Sequence, residues 1–160
     1  MQRPIVGFAL DEAGDWTATL DCGHRQHVRH DPPFVNRPWV ITEEGRASRL
    51  GERLDCVLCD RMEPPADMVL LRRTPEFSAE SMPAGLRARH RTGPGMWGRI
   101  VVSDGALRYR VPALDVDVEL STGHDGTVVP EVEHEVEPVG AVRFHIEFLG
   151  VRPPRATPDR

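Results

Sequence analysis

Residues 97–111 read Trp97-Gly98-Arg99-Ile100-Val101-Val102-Ser103-Asp104-Gly105-Ala106-Leu107-Arg108-Tyr109-Arg110-Val111. Two apolar, strand-prone runs, 97–102 and 106–111, flank Ser103-Asp104-Gly105. An Asp-Gly pair tolerates the positive φ that tight hairpin turns demand, so this stretch predicts a β-hairpin. Moving outward, further short runs fall at 68–71, 116–120, 128–130, 132–136 and 142–148, with turn residues between them and no convincing helical periodicity. Strands of this kind in such number predict a sandwich or barrel. The acids Glu131, Glu133, Glu135 and Glu137 alternate and predict one solvated strand face that discourages edge pairing.

Upstream, runs at 5–10 and 16–20 flank Asp11-Glu12-Ala13-Gly14-Asp15, which has the residues of a hairpin loop. Residues 22–38 are rich in His and Pro and too broken to form a long helix. Thr42 is placed to cap a short helix over 42–50, with Glu43 and Glu44 in its first turn and Gly51 at its end. Tandem Pro64-Pro65 stops regular structure and marks a linker over 63–67. The expected organisation is therefore a small β-rich module with some helix over 1–62, that linker, a β-domain over 68–150, and a disordered Pro/Arg tail over 151–160.

The chain has 160 residues, 39% hydrophobic and 28% charged, with a formal net charge of −5. Such a composition supports folding in both halves, and no apolar run is long enough to cross a bilayer. The absence of a secretory-type opening predicts a cytoplasmic protein. All basic side chains are arginine, and neither half carries net positive charge. That balance disfavours a nucleic-acid partner, although Arg25, His27, Arg29, His30 and Arg37 with Phe34 and Trp39 form a locally basic, aromatic stretch.

The three cysteines are an odd number, all within the first 59 residues. Cys56-Val57-Leu58-Cys59 is one candidate arm of a metal site and Cys22-Gly23-His24 is the other, because Gly23 lets the chain turn both flanking side chains toward one ion. Zinc, tetrahedral and satisfied by Cys and His, suits this set: Cys22, His24, Cys56 and Cys59, with His27 or His30 as alternatives to His24. A module of this size buries little apolar surface, and a structural zinc can add an apparent ~10–16 kcal/mol. A redox role for Cys56 and Cys59 would need a parallel βαβ context, which the pattern lacks.

The segments Pro4-Ile5-Val6-Gly7-Phe8, Cys22-Gly23-His24-Arg25-Gln26-His27-Val28-Arg29-His30, Arg37-Pro38-Trp39-Val40 and Cys56-Val57-Leu58-Cys59-Asp60 resemble a small bacterial family of uncharacterised zinc-binding-type domains over residues 1–62. That resemblance brings no activity with it. The segments Met82-Pro83-Ala84-Gly85-Leu86, His90-Arg91-Thr92, 95–102, Gly105-Ala106-Leu107-Arg108-Tyr109, 130–136 and 143–148 resemble the cupin-like domain fused to tellurite-resistance methyltransferases. This second resemblance implies a jelly-roll barrel with a polar, metal-binding pocket at its mouth. It places His90 and His134 at the positions of motif histidines and Glu147 as a carboxylate on the following strand. Thr92 stands where a second motif histidine is expected, and Met96 or Trp97 where its Glu should be. Two histidines and a carboxylate can hold a divalent zinc, iron, nickel or manganese ion and leave positions open.

In the last strand Val142, Phe144, Ile146 and Phe148 share one face, and Arg143, His145 and Glu147 the other. If Glu147 faces the pocket, the aliphatic face needs cover from outside, by a second copy in a homodimer or by the zinc module. If Glu147 faces out, it is a surface acid. His124 and His145 are weaker candidates.

The sequence thus points to two classes of function. One is a metal-dependent barrel acting on a small molecule or oxyanion in stress chemistry, with His90, His134 and Glu147 as ligands and Arg99 or Tyr109 orienting an anion. The other is a non-enzymatic sensor or adaptor, in which the barrel binds a small ligand and the zinc module docks on a partner.

Overall fold

The computed structural model of the chain describes residues 1–28 and 37–151. Arg29, His30 and Phe34, singled out above, and the tail over 152–160 lie outside the described residues. The chain divides into two units, residues 1–63 and residues from 64 onward.

The first unit is a four-stranded antiparallel sheet in the order β3-β2-β1-β4, with β1 Gln2–Leu10, β2 Trp16–Leu20, β3 Arg25–His27 and β4 Arg53–Asp55. The expected opening hairpin is present: Leu10 faces Trp16 and Ile5 faces Leu20 across β1 and β2. Asp11 shapes its turn by accepting from the amides of Ala13 at 2.9 Å and Asp15 at 2.8 Å. Helix α1, Glu43–Ala47, starts where the sequence predicts, with the Thr42 hydroxyl accepting from the Gly45 amide at 3.1 Å. The Arg46 guanidinium lies 3.9 Å over the Trp16 ring, and Phe8 meets Trp39 edge-on at 5.9 Å. The aliphatic interior is small, chiefly Ile5, Ala18, Leu20, Val28 and Val40.

The second unit is a six-stranded antiparallel sheet built on two long strands, β7 Trp97–Val111 and β10 Glu135–Val151. Strands β5 Met68–Arg73 and β6 Phe77–Ser78 pair with β10; β8 Val116–Ser121 and β9 Gly126–Val128 pair with β7. The protein is mainly β in antiparallel sheets, as the sequence predicts. Closure into a jelly roll is a finer statement than these pairings make. The largest side chains shut off from solvent are Trp97, Tyr109 and Phe144.

Residues 97–111 correct the sequence reading. They form one strand, and Ser103-Asp104-Gly105 is a β-bulge within it. Gly105 pairs with Val142 and Asp104 with Arg143, but Phe144 then pairs with Val102, so Ser103 is passed over. Gly105 has the positive φ that suggested a turn, 74°, and a Cβ there would meet the Ala141 carbonyl oxygen at 2.0 Å. An extra residue changes which face successive side chains take. Gly98, Ile100 and Val102 are buried before the bulge; Leu107, Tyr109 and Val111 are buried after it.

The acidic alternation is also reassigned. Glu135 and Glu137 lie on β10, inside the sheet, and pair with Arg110 of β7 at 3.0 and 2.7 Å.

Candidate metal centre and apolar cavity

Cys22 and His24 sit in the turn after β2. Gly23, at φ 89°, donates its amide to the Leu20 carbonyl at 2.9 Å, while the Leu20 amide donates to the His24 carbonyl at 2.9 Å. This tight loop turns both side chains the same way. Cys56 precedes the short helix α2, Val57–Asp60, and donates its amide to the Met1 carbonyl at 2.7 Å; Cys59 lies inside α2. The donor atoms of Cys22, His24, Cys56 and Cys59 all lie within 4.8 Å of one another. His24 Nδ1 is 3.4 Å from Cys22 Sγ, 3.3 Å from Cys56 Sγ and 3.8 Å from Cys59 Sγ, and Cys22 Sγ is 3.9 Å from Cys56 Sγ. All four residues are buried: 0% exposed for Cys22 and Cys59, 1% for Cys56 and 4% for His24. This Cys/His cluster could hold a metal ion.

Hydrogen bonding with Cys59, then contact with His24, holds the Cys22 thiol far below the ordinary thiol range, at about 4. The same bond and burial push Cys59 up, and burial pushes Cys56 up. Placing an ion among all three sulfurs must therefore release protons.

Of the histidines left open by the sequence as fourth donor, His24 joins the cysteines. His27 instead lies 3.5 Å from Asp11 with its ring largely exposed. Every strand pairing in this unit is antiparallel, so the βαβ setting of a redox pair is absent among the described residues.

In the second unit His90 and His134 do meet. Their backbones exchange hydrogen bonds at 2.9 and 2.8 Å, and their rings pack edge to face at 5.5 Å. Glu147 does not join them. It sits on the other face of β10, where Arg73 donates to it at 2.5 Å and Arg99 and His145 lie at 3.6 Å. Burial raises the Glu147 carboxyl, but Arg73, Arg99 and His145 together hold it below the usual range. Glu147 is thus the structural acid of an ion-pair cluster. Among the described residues the Cys/His cluster is where three or more metal-donor side chains converge.

The face of β10 that carries Phe144, Ile146 and Phe148 lines a cavity of about 320 Å³. Its cover comes from the same domain: Phe77, Leu86 of helix α3 Ala84–Arg87, Ile100 and Val128. Phe77 packs on Phe144 at 5.6 Å. The expected polar pocket is therefore corrected to a mostly apolar one, with His90 and His134 among its walls. Arg99 is engaged with Glu147, and Tyr109 donates to the Thr127 carbonyl at 2.8 Å, so neither is placed to orient an anion in the cavity. Thr92 donates to the Met96 carbonyl at 2.6 Å. His124 bridges Ser121 through its backbone. The sequence does not single out Phe77 or Leu86 as site residues: Leu86 falls in a segment that carries the family resemblance but no ligand-bearing side chain, and Phe77 is an apolar residue with no periodic partner.

Comparisons with known proteins agree with this division. Residues 6–63 match the family described as a protein of unknown function, DUF3565. Residues 72–146 match the TehB-like domain. The chain is a fusion of the two: a DUF3565 domain followed by a TehB-like domain. Among solved structures, the crystal structure of a protein from E. coli (strain K12), a structural-genomics target, is 25% identical at a TM-score of 0.51, over 57% of this chain and 98% of that one. TehB from Haemophilus influenzae is 20% identical at a TM-score of 0.49, over 54% of this chain and 32% of TehB. No curated protein matches.

Proposed function

We propose that the protein is a cytoplasmic small-molecule-binding protein. In this reading its TehB-like domain, a cupin-like barrel, takes up a ligand in the apolar cavity, and its N-terminal module is held by a structural zinc ion. The observation that carries the reading is the cavity wall. Phe77, Ile100, Phe144, Ile146 and Phe148 present apolar surface, and two histidines, with no third metal donor beside them among the described residues, form the candidate polar spot. Small-molecule sites have this character, mostly apolar with a few placed polar groups, and occupy roughly 300–1,000 Å³. The three-donor metal site of His90, His134 and Glu147 would need Glu147 to face the cavity, and it faces the other way.

The zinc assignment rests on distances. Zn–S bonds of about 2.3 Å and Zn–N bonds of about 2.0–2.1 Å at tetrahedral angles separate two sulfurs by ~3.8 Å and a sulfur from a nitrogen by ~3.6 Å. The S···N distances of 3.3–3.8 Å bracket the second value, and the Cys22–Cys56 S···S of 3.9 Å lies beside the first. Four protein donors leave no open position, which is the pattern of a structural site. Three buried thiols outside any disulfide support a reducing compartment.

The cavity also bears on the oxyanion chemistry that the family resemblance implies. Its cation is Arg72, whose guanidinium lies 3.9 Å over the Phe148 ring. A single arginine stacked on an aromatic ring is a weak match for a small dianion, so an uncharged ligand is the better fit.

The test is saturation-transfer NMR on the full zinc-loaded chain with toluene and indole, and with tellurite as the opposing ligand, alongside elemental analysis. The reading requires saturable aromatic binding that disappears in Ile146→Trp, which fills the cavity, and one zinc per chain that disappears in Cys56→Ser. Saturable tellurite binding without aromatic binding, or a second metal lost with His134→Ala, would overturn it.

A further inference from the structure

Resting on the reading of the cavity as a ligand site, we infer that it selects neutral, ring-sized ligands carrying one hydrogen-bond donor, an aromatic hydroxyl or a ring N–H, received by His134 Nε2. The polar groups that line the cavity are Arg72, Thr74, His90, Thr92 and His134.

His134 is buried, and its Nδ1 lies 3.0 Å from the Val132 carbonyl oxygen. A carbonyl can only accept, so Nδ1 carries the proton. Burial, with His90 adding to it, outweighs the opposing Val132 hydrogen bond and favours the neutral ring over the imidazolium. A neutral imidazole with its proton on Nδ1 has a bare lone pair on Nε2, which is an acceptor and nothing else. The ring is held in that tautomer by a backbone atom, so the choice is built into the chain path through Val132.

Of the other groups, Thr92 adds a second acceptor, while Arg72, Thr74 and His90 keep N–H or O–H groups that a ligand acceptor could meet; His134 is the one whose role a backbone carbonyl fixes. The Thr92 hydroxyl proton is committed to the Met96 carbonyl at 2.6 Å, which leaves that oxygen as a second acceptor. Thr74 Oγ1 accepts from the Ile146 amide at 3.0 Å. Arg72 covers Phe148 at 3.9 Å. A ligand carboxylate would set its lone pairs against that of His134 and would have to lose its water in an aromatic enclosure, a double penalty. A ligand with no donor would leave His134 Nε2 buried and unpaired, which is also unfavourable. A ring with one O–H or N–H avoids both.

Two isomers isolate the donor from bulk: 3-methylindole keeps its ring N–H, and 1-methylindole has it replaced by a methyl at equal size. Titrating the full chain with each, and with benzoate, by saturation-transfer NMR should show 3-methylindole binding roughly tenfold more tightly than 1-methylindole. Benzoate, which Arg72 alone could pair, should bind more weakly than 3-methylindole. In His134→Phe, with its fold checked by an amide correlation spectrum, the two isomers should become equal. Equal affinity of the isomers for the unaltered protein, or tighter binding of benzoate, overturns the donor selectivity while leaving the cavity as a ligand site. Failure of both methylindoles, toluene and indole alike overturns the ligand-site reading itself.

Discussion

The two units keep their interiors together by different means. In the first, the residues most removed from solvent include Cys22, Cys56 and Cys59, and the aliphatic set around Ala18 and Val40 is too small to be a core of ordinary size. In the second, Trp97, Tyr109 and Phe144 are closed off by strands of 15 and 17 residues. A short chain segment cannot remove enough apolar surface from water to offset its conformational entropy, whereas a longer one with aromatic residues can. The Cys/His cluster thus stands in the first unit where the aromatic core stands in the second.

The comparison breaks most decisively with a chelator. On the proposed zinc assignment, removing the ion forgoes a term of apparent size ~10–16 kcal/mol, so calorimetry of the full chain should lose the first unit's transition and keep the second's. One transition that shifts as a whole would show that the units do not stand on separate supports. Phe144→Ala, at 0% exposure against Phe77, should cost the second unit ~3–5 kcal/mol with zinc content unchanged, read by the same melt and elemental analysis. Thr42→Ala removes the cap of α1 and should lower the first unit's stability by about 1 kcal/mol in the zinc-loaded protein, a shift in the thermal midpoint.

Glu147→Gln gives the smallest effect, at ~0–1 kcal/mol, because its partner Arg73 is half exposed to water. Its pH dependence gives the sharper reading. The folded carboxyl titrates below the unfolded one, so its contribution is complete above the unfolded value of about 4.3 and fades as pH falls through the folded value. Melts of the natural chain and Glu147→Gln should therefore differ at neutral pH and converge in acid.

What could be read from the sequence followed the range of the rule involved. The hairpin of β1 and β2, the Thr42 cap and the Cys22/His24/Cys56/Cys59 set depend on neighbours in the chain or on ligand chemistry, and all were legible. Residues 97–111 were not, because a glycine with positive φ serves a turn and a bulge equally, and the change of buried face at 103–105 imitates the end of a strand. The resemblance groups Glu147 with His90 and His134, and strand alternation cannot test that grouping because it divides side chains into two sets without saying which set faces inward. The segment that carries Phe77 and Leu86 decided that, by closing over Phe144 and its neighbours, and nothing local in those residues announces it.

The bulge gives β7 something like a reading frame. From Gly98 to Val102 the even-numbered residues face inward, and after Gly105 the odd-numbered ones do. A chain that kept its length but lost the positive φ at Gly105 would be out of frame, with Arg108 and Arg110 arriving where Leu107 and Tyr109 now sit. A chain shortened by that one residue would be back in frame, straight where the natural strand is kinked. In this strand deletion of Gly105 should therefore be gentler than its replacement by valine, the reverse of the usual order of harm, and paired thermal melts would rank the two.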